Sequence, residues 1–129
     1  MRHPLVVGNW KMNGSQQSIA ELLEAVAGLW QGSDEIDVAV CAPYVYLTQV
    51  VAQLAESSIQ VGAQDLSEHE QGAYTGDISA AMLRDVGCRY VIVGHSERRQ
   101  YHGESNEQLA AKFMAAYKAG LTPIYCVGE

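Results

Sequence analysis

Short apolar runs alternate with helical patterns along the whole chain, and this alternation restricts its possible folds more than any other feature. The runs are rich in β-branched residues and lie at 5–8, 38–42, 59–63, 90–93 and 124–127. A run of this kind with no polar face is typical of a parallel strand that is covered on both sides. The sequence therefore predicts an α/β fold in the order β-α-β-α-β-α-β-α-β, with right-handed crossovers.

Amphipathic helices are predicted between the runs, because apolar residues recur there at spacings of three and four. Ser18 with Glu21 predicts a capping box near the start of the first helix, and Ser105 with Gln108 predicts one at the start of the last. Residues 64–77 show neither a helical nor a strand period. Loops this long are usually functional or disordered, so this segment is a candidate for a functional loop.

Length and charge set limits on the class of protein. The 129 residues suffice for a single domain, 1–129, but not for two comfortable ones. The net charge of −7 argues against nucleic acid and anionic membranes as main partners. We find neither a membrane-length apolar run nor a signal peptide, so we expect a cytoplasmic protein. The three cysteines are widely spaced, which favours reduced thiols over a disulfide framework or a metal site.

Three candidate functional side chains directly follow predicted strands. Asn9 and Lys11 come after the first strand, and His95 comes after the fourth. The carboxyl ends of parallel strands lie on one edge of a sheet, which is where ligands bind in such folds. An amide, an ammonium and an imidazole at this edge suit an anionic substrate with a carbonyl group, because they can stabilise a developing oxyanion. Taken singly, each residue also has an ordinary structural explanation.

Other chemistries fit the pattern less well. His95, Glu97 and His102 offer nitrogen and oxygen ligands, but their spacing matches no standard zinc or iron site. Ser96 lies next to His95, yet no Gly-x-Ser-x-Gly elbow of a hydrolase is present. A flavodoxin-like domain would want a phosphate-binding loop after an early strand, and residues 9–14 do not form an obvious one.

Several motifs together resemble the triosephosphate isomerase family. They are GNWKMNG at 8–14, GAQ at 62–64, GAYTG at 72–76, VGHSERR at 93–99 and CVGE at 126–129, and they occur in the family's order along all 129 residues. The resemblance implies a partial (β/α)₈ barrel. It also implies an isomerase of glycolysis and gluconeogenesis that interconverts dihydroxyacetone phosphate and glyceraldehyde 3-phosphate by proton transfer through an enediolate.

The resemblance also assigns roles to individual residues. His95 would be a neutral electrophile, Lys11 would counter the negative charge of the triose phosphate, and Asn9 would position and polarise its oxygens. Ser96 and Glu97 would support these groups from beside them. Gln64 and Thr75 would lie at the interface of a homodimer, with the 64–77 loop inserted into the neighbouring subunit. No cofactor or metal is expected.

The length departs from the family, because a (β/α)₈ barrel typically needs about 250 residues. We expect this chain to be the N-terminal half, ending after the fifth strand. The resemblance places the family's glutamate base, closing lid and later phosphate-binding loops in the other half, so we expect the isolated chain to be inactive. The alternatives are one half of a split enzyme, active with a complementing C-terminal half, and a non-catalytic half-barrel that self-associates through its open edges.

Overall fold

The computed structural model describes residues 2–128, and its five strands form one parallel sheet in sequential order. The strands are β1 (Leu5–Asn9), β2 (Asp37–Ala42), β3 (Gln60–Ala63), β4 (Tyr90–Val93) and β5 (Thr122–Tyr125). Each strand therefore pairs with the next one in the chain, which confirms the predicted α/β alternation. Glu129, the last residue of the fifth motif, lies outside the described residues.

Helices follow the first four strands, as predicted, but two helices rather than the one of the predicted order lie between β4 and β5. The helices are α1 (Gln16–Leu29), α2 (Leu47–Gln53), α3 (Ala80–Val86), α4 (Ser96–His102) and α5 (Asn106–Lys118), with a 3₁₀ turn at Tyr44–Tyr46 before α2. Apolar residues of the helices pack on β2, β3 and β4 to form the core, whose largest fully buried members include Ile19, Leu23, Val50, Leu83, Val91 and Leu109.

The predicted cap of α1 was wrong, whereas that of α5 was right. The N-cap of α1 is Ser15, whose hydroxyl accepts a hydrogen bond from the Ser18 backbone N–H at 3.1 Å. The Ser18 hydroxyl in turn accepts a hydrogen bond from the Ser15 backbone N–H, so the capping box begins about one helical turn before the predicted pair. Glu21 instead accepts a hydrogen bond from the side chain of Gln17. At α5, the Ser105 hydroxyl accepts from the Gln108 N–H.

The fifth strand begins two residues earlier than predicted and includes a proline. At the start of β5 the Thr122 N–H donates to the carbonyl of Arg89, just before β4, and just after β5 the Cys126 N–H donates to the carbonyl of Val93. Pro123 falls between these donors, so its missing N–H belongs to the side of β5 that faces away from β4. Within residues 2–128 no strand pairs with that side, so the proline removes no hydrogen bond from the sheet there and is compatible with β5.

A close approach of two neighbouring strands requires glycine at position 62. A Cβ there would lie 2.7 Å from Cys41 Sγ and 3.1 Å from the backbone oxygen of Tyr90. The backbone of β4 cannot move aside without loss of sheet pairing, so a side chain at this position would overpack the core.

A buried network of charges joins α4 and α5 to the loop after β3. The Lys112 ammonium is hydrogen-bonded to Glu104 and, at 2.9 Å, to Asp65, and the Arg98 guanidinium contacts the same two carboxylates at 3.0 and 3.1 Å. Lys112 and Glu104 are only 5% and 7% exposed. Ions this deeply buried are tolerated only when they are paired, so the network fixes the positions of the segments that carry it.

We predict opposite effects for the same substitution at two glycines. Gly62→Ala should lower the free energy of unfolding by about 2 kcal/mol or more, because the new methyl group overlaps Cys41 and Tyr90. Gly28→Ala should raise it by about 1 kcal/mol, because Gly28 lies inside α1 with no atom within 4 Å of the new Cβ. Urea unfolding at neutral pH measures the free energy of unfolding of both variants. A Gly62→Ala variant as stable as the Gly28→Ala variant would contradict the register of β2, β3 and β4.

We predict that Lys112→Met lowers the free energy of unfolding by roughly 3 kcal/mol, because it leaves two carboxylates facing each other with only Arg98 between them. Lys118→Met is the matched control, since Lys118 is an exposed lysine on the same helix and should change stability by no more than about 0.5 kcal/mol. Chemical denaturation of the two variants checks the difference. A loss at position 112 no larger than at position 118 would argue against a buried network.

We also predict a loss of stability in acid that depends on Glu104. Burial by itself would raise the pKa of Glu104, but hydrogen bonds from Lys112 and Arg98 outweigh it and hold the pKa below its ordinary value. Its contribution is therefore complete above the unfolded pKa of about 4.3 and is lost as the pH falls through the folded pKa. The unfolding free energy of Glu104→Gln, measured against that of the unmodified chain from neutral pH downward, should fall less steeply below about pH 4.

Candidate functional site

Asn9, Lys11 and His95 line one cavity at the carboxyl edge of the sheet. Parallel pairing brings the ends of β1 and β4 to the same edge, and the cavity there has a volume of about 340 Å³. Besides these three residues, its lining comprises Met12, Pro43, Tyr44, Gln64, Asp65, Glu97, Arg98, Tyr101 and His102. The geometry therefore gathers an amide, an ammonium and an imidazole around a space large enough for a small metabolite.

The turn after β1 is built around the side chain of Asn9. Its Oδ1 accepts a hydrogen bond from the Lys11 backbone N–H at 3.0 Å, which forms an Asx turn. Asn13 adds a bond in the opposite direction, since its Nδ2 donates to the Trp10 carbonyl at 2.9 Å. The acceptor end of the Asn9 amide is thus used within the turn, and its NH₂ group is the end that can donate to a ligand.

Lys11 reaches across the cavity to Glu97. Its Nζ lies 2.7 Å from Glu97 Oε1, and the two side chains are 52% and 42% exposed. The hydrogen bond from Lys11 lowers the pKa of Glu97, and the positive charge of Lys11 lowers it further. The carboxylate of Glu97 therefore stays ionised at neutral pH and holds the ammonium at the edge of the cavity.

The backbone of α4 determines which nitrogen of His95 can donate. His95 is the N-cap of α4, and its Nδ1 accepts a hydrogen bond from the Glu97 backbone N–H at 3.2 Å. Glu97 Oε2 lies 3.4 Å from the same nitrogen and would attract a proton there, but Lys11 already neutralises that carboxylate. The backbone bond needs a lone pair on Nδ1, so the neutral imidazole carries its proton on Nε2.

Gln64 lies closer to the site than the sequence indicated. Expected at a subunit interface, it lines the cavity and donates from Nε2 to the Lys11 carbonyl at 2.8 Å and to the Cys41 carbonyl at 3.0 Å. Gln64 directly follows β3, so the rule that selected Asn9 and His95 would have found it. Tyr44 and Asp65 lie two residues after β2 and β3, as His95 lies two residues after β4, so the same rule would have found them as well. Burial, followed by the charge of Asp65, raises the pKa of Tyr44, whose phenol therefore stays neutral.

The long loop of residues 64–77 borders a second cavity, with a volume of about 420 Å³. The Ser67 N–H donates to the Ile78 carbonyl at 2.8 Å and closes the base of the loop. Farther out, the rings of His69 and Tyr74 stack with centroids 3.9 Å apart and an interplanar angle of 3°. Thr75 is exposed next to Tyr74. The loop therefore has defined internal contacts although it contains no helix or strand.

The structure also gives the positions of Ser96, of the possible metal ligands and of the three cysteines. Ser96 is exposed as the first residue of α4. His95, Glu97 and His102 all line the cavity, but residues 2–128 contain no group of three or more His, Cys, Asp or Glu side chains able to hold a metal ion. Cys41, Cys88 and Cys126 are free thiols, and burial raises the pKa of Cys41 to about 12. Within the same residues, no helix is both long and apolar enough to cross a membrane.

Comparison with known proteins gives a consistent result. The family model for triosephosphate isomerase matches residues 4–129. The chain is 57% identical to triosephosphate isomerase of Coxiella burnetii over 99% of its own length and 50% of the relative's, and 59% identical to that of Thiobacillus denitrificans over 100% and 51%. The crystal structure of triosephosphate isomerase from Bartonella henselae superposes with a TM-score of 0.91 at 41% identity, covering 99% of this chain and 53% of that one.

The chain thus spans about half the length of the curated relatives it matches. Within that span, the agreement covers both the sequence motifs and the course of the backbone, so the five parallel strands correspond to part of a (β/α)₈ barrel. With a family model that matches nearly every residue and relatives of this identity, the chain belongs to the triosephosphate isomerase family.

Proposed function

We propose that this chain is a single domain that supplies one side of an active site interconverting dihydroxyacetone phosphate and glyceraldehyde 3-phosphate. The observation that carries this proposal is the convergence of Asn9, Lys11 and His95 on one cavity at the sheet edge. The relatives are triosephosphate isomerases of about twice this length, so the complete site is proposed to need a second half.

In the proposed reaction, removal of a proton from the carbon beside the carbonyl gives an enediolate. The negative charge that develops on its oxygens is stabilised by donors that already lie in place. The NH₂ of Asn9 and the Nε2–H of His95 are suited to donate to these oxygens, while the ammonium of Lys11 offsets the charge of the substrate. Glu97 holds Lys11 and orients His95, and Ser96 begins the helix that carries Glu97. The proposal involves no metal or cofactor.

Proton transfer also needs a base within hydrogen-bond reach of the substrate carbon. Glu97 is a carboxylate in the cavity, but its charge is engaged by Lys11 at 2.7 Å. Asp65 lies in the cavity wall and is bound by Lys112 and Arg98. We therefore assign the base to the other half of the family's fold, together with the lid and later phosphate loops, and propose negligible isomerase activity for the isolated chain.

A homodimer contact is part of the proposal. Two exposed apolar side chains line the cavity, Met12 and Tyr101, which are 94% and 72% exposed, and Val45, next to the lining residue Tyr44, is 77% exposed. The 64–77 loop has a closed base and a stacked ring pair, as a loop that inserts into a neighbour requires. On this basis Thr75 is proposed to lie near the partner's site. Gln64 at the interface, a cytoplasmic location and a role in glycolysis and gluconeogenesis stay predictions.

The proposal predicts that activity appears only on complementation. The chain alone should show no turnover above background, and addition of the C-terminal half of the Thiobacillus denitrificans relative should generate isomerase activity. His95→Gln in the mixture should lower kcat by about 100-fold, since it removes an oxyanion donor. His3→Gln is the matched control, because His3 lies beside Asp37 at the other end of β1. A folded but inactive mixture, or activity in the isolated chain, would overturn the proposal.

The second candidate, a non-catalytic half-barrel that self-associates, is favoured by the unpaired edges of the sheet. Within residues 2–128, β1 and β5 each pair on one side only, and Val6 of β1 is 59% exposed. An exposed strand edge presents unpaired backbone N–H and C=O groups that can pair with another chain. Light scattering at high concentration distinguishes the two candidates. A stable dimer that gains no activity from the C-terminal half would support self-association, and a monodisperse monomer would exclude it.

A further inference from the structure

Lys11 has an unusual backbone for a residue with a side chain. Its φ angle is +54°, and it is the one non-glycine residue with a positive φ among residues 2–128. The left-handed region costs a residue with a Cβ about 1–3 kcal/mol, and such residues persist only where the surrounding structure holds them. The contacts of Lys11 should therefore show what keeps it in this conformation.

Named contacts hold Lys11 at its N–H, its carbonyl and its ammonium. The N–H donates to Asn9 Oδ1 at 3.0 Å, and the ammonium contacts Glu97 Oε1 at 2.7 Å. The carbonyl accepts from Gln64 Nε2 at 2.8 Å. Asn9 is two residues away in the same turn and moves with it. Gln64 is 53 residues away and follows a buried strand, so it ties the Lys11 backbone to the rigid sheet.

The second bond of Gln64 makes this tie more rigid. The same Nε2 donates to the Cys41 carbonyl at 3.0 Å, and that carbonyl also accepts from the Trp10 N–H at 3.1 Å. Because the amide NH₂ has two hydrogens, Gln64 can donate to both carbonyls at once. Cys41 is fully buried in β2, so one N–H of the Gln64 amide is bonded to the core and the other to the strained backbone of Lys11.

We infer that Gln64 is a positioning residue for Lys11: its amide holds the strained backbone that directs the Lys11 ammonium to the cavity edge. This inference rests on the proposed role of Lys11 in substrate binding, but the conformation of Lys11 can be tested without it. The contacts of the Gln64 amide named here lie within its own chain.

The test is the Gln64→Met variant of the full chain, which keeps the length of the side chain and removes both donors. Amide hydrogen exchange and backbone carbon shifts of Lys11 are measured by NMR. Exchange of the Lys11 amide should become about tenfold faster, and its carbon shifts should leave the left-handed range. The amides of Val40 and Val91, in the core strands, should keep their exchange rates. Acceleration of all three amides by one factor would overturn the inference, as would an unchanged Lys11.

Two further variants separate positioning from general stability. Gln53→Met removes a matched bond, from Gln53 Nε2 to the Ala20 carbonyl at 2.7 Å, and should leave the Lys11 amide unchanged. On a Lys11→Gly background, Gln64→Met should not accelerate exchange at position 11, because glycine adopts a positive φ without strain. The double variant also tests the inference if Gln64→Met alone fails to fold, because the Lys11→Gly substitution should then restore folding. Absence of that rescue would contradict the inference.

A kinetic arm keeps this inference distinct from the proposed function. If the chain with its complementing half isomerises dihydroxyacetone phosphate, Gln64→Met should raise KM more than it lowers kcat, because the substrate's charge loses its aligned counter-ion. A fall in kcat by a factor as large as the rise in KM would overturn the substrate-binding part of the inference. If the unmodified mixture is inactive, the proposed function fails, while the NMR measurement on Lys11 still decides the positioning role.

Discussion

The parallel hydrogen-bond ladder is the constraint on which the rest of the molecule depends. Because β1 to β5 run in one direction, the residues that follow them emerge at one edge. Asn9 pairs in register with Cys41, and Ala42 pairs with Ala63, so the turn after β1 and the residue after β3 lie against the end of β2. The cavity is a consequence of this register, and its polar side chains are those that come next in the chain.

Two kinds of polar contact then turn this edge into a site. In the open part, single hydrogen bonds set directions: Asn9 holds Lys11, Gln64 holds its carbonyl, and Glu97 fixes the tautomer of His95. Beneath it, the buried network of Lys112 and Glu104 with their partners anchors α4, which carries Glu97, to α5 and to the loop after β3. The exposed bonds contribute little stability by themselves, so their geometry depends on the rigid network and the packed strands.

Much of this could be predicted from local patterns. The five apolar runs gave the strands to within two residues, with the largest shift at β5, and the positions directly after the first and fourth runs led to Asn9, Lys11 and His95. The first helix cap was misplaced, because Ser18 can take either role in a capping box and only the extended backbone of Ser15 decides between them. The partners of Lys112 were not predicted, since Asp65 is 47 residues away and no periodicity links them.

The sequence alone determined the order of strands and helices, the family and the chemical groups available at the sheet edge, because these depend on local composition and on motifs of adjacent residues. The tertiary structure alone decided how those groups are oriented. The positive φ of Lys11, its ion pair with Glu97 and the two bonds of Gln64 each depend on atoms from distant segments. Such contacts exist only after the strands have paired, and they have no counterpart in any short stretch of sequence.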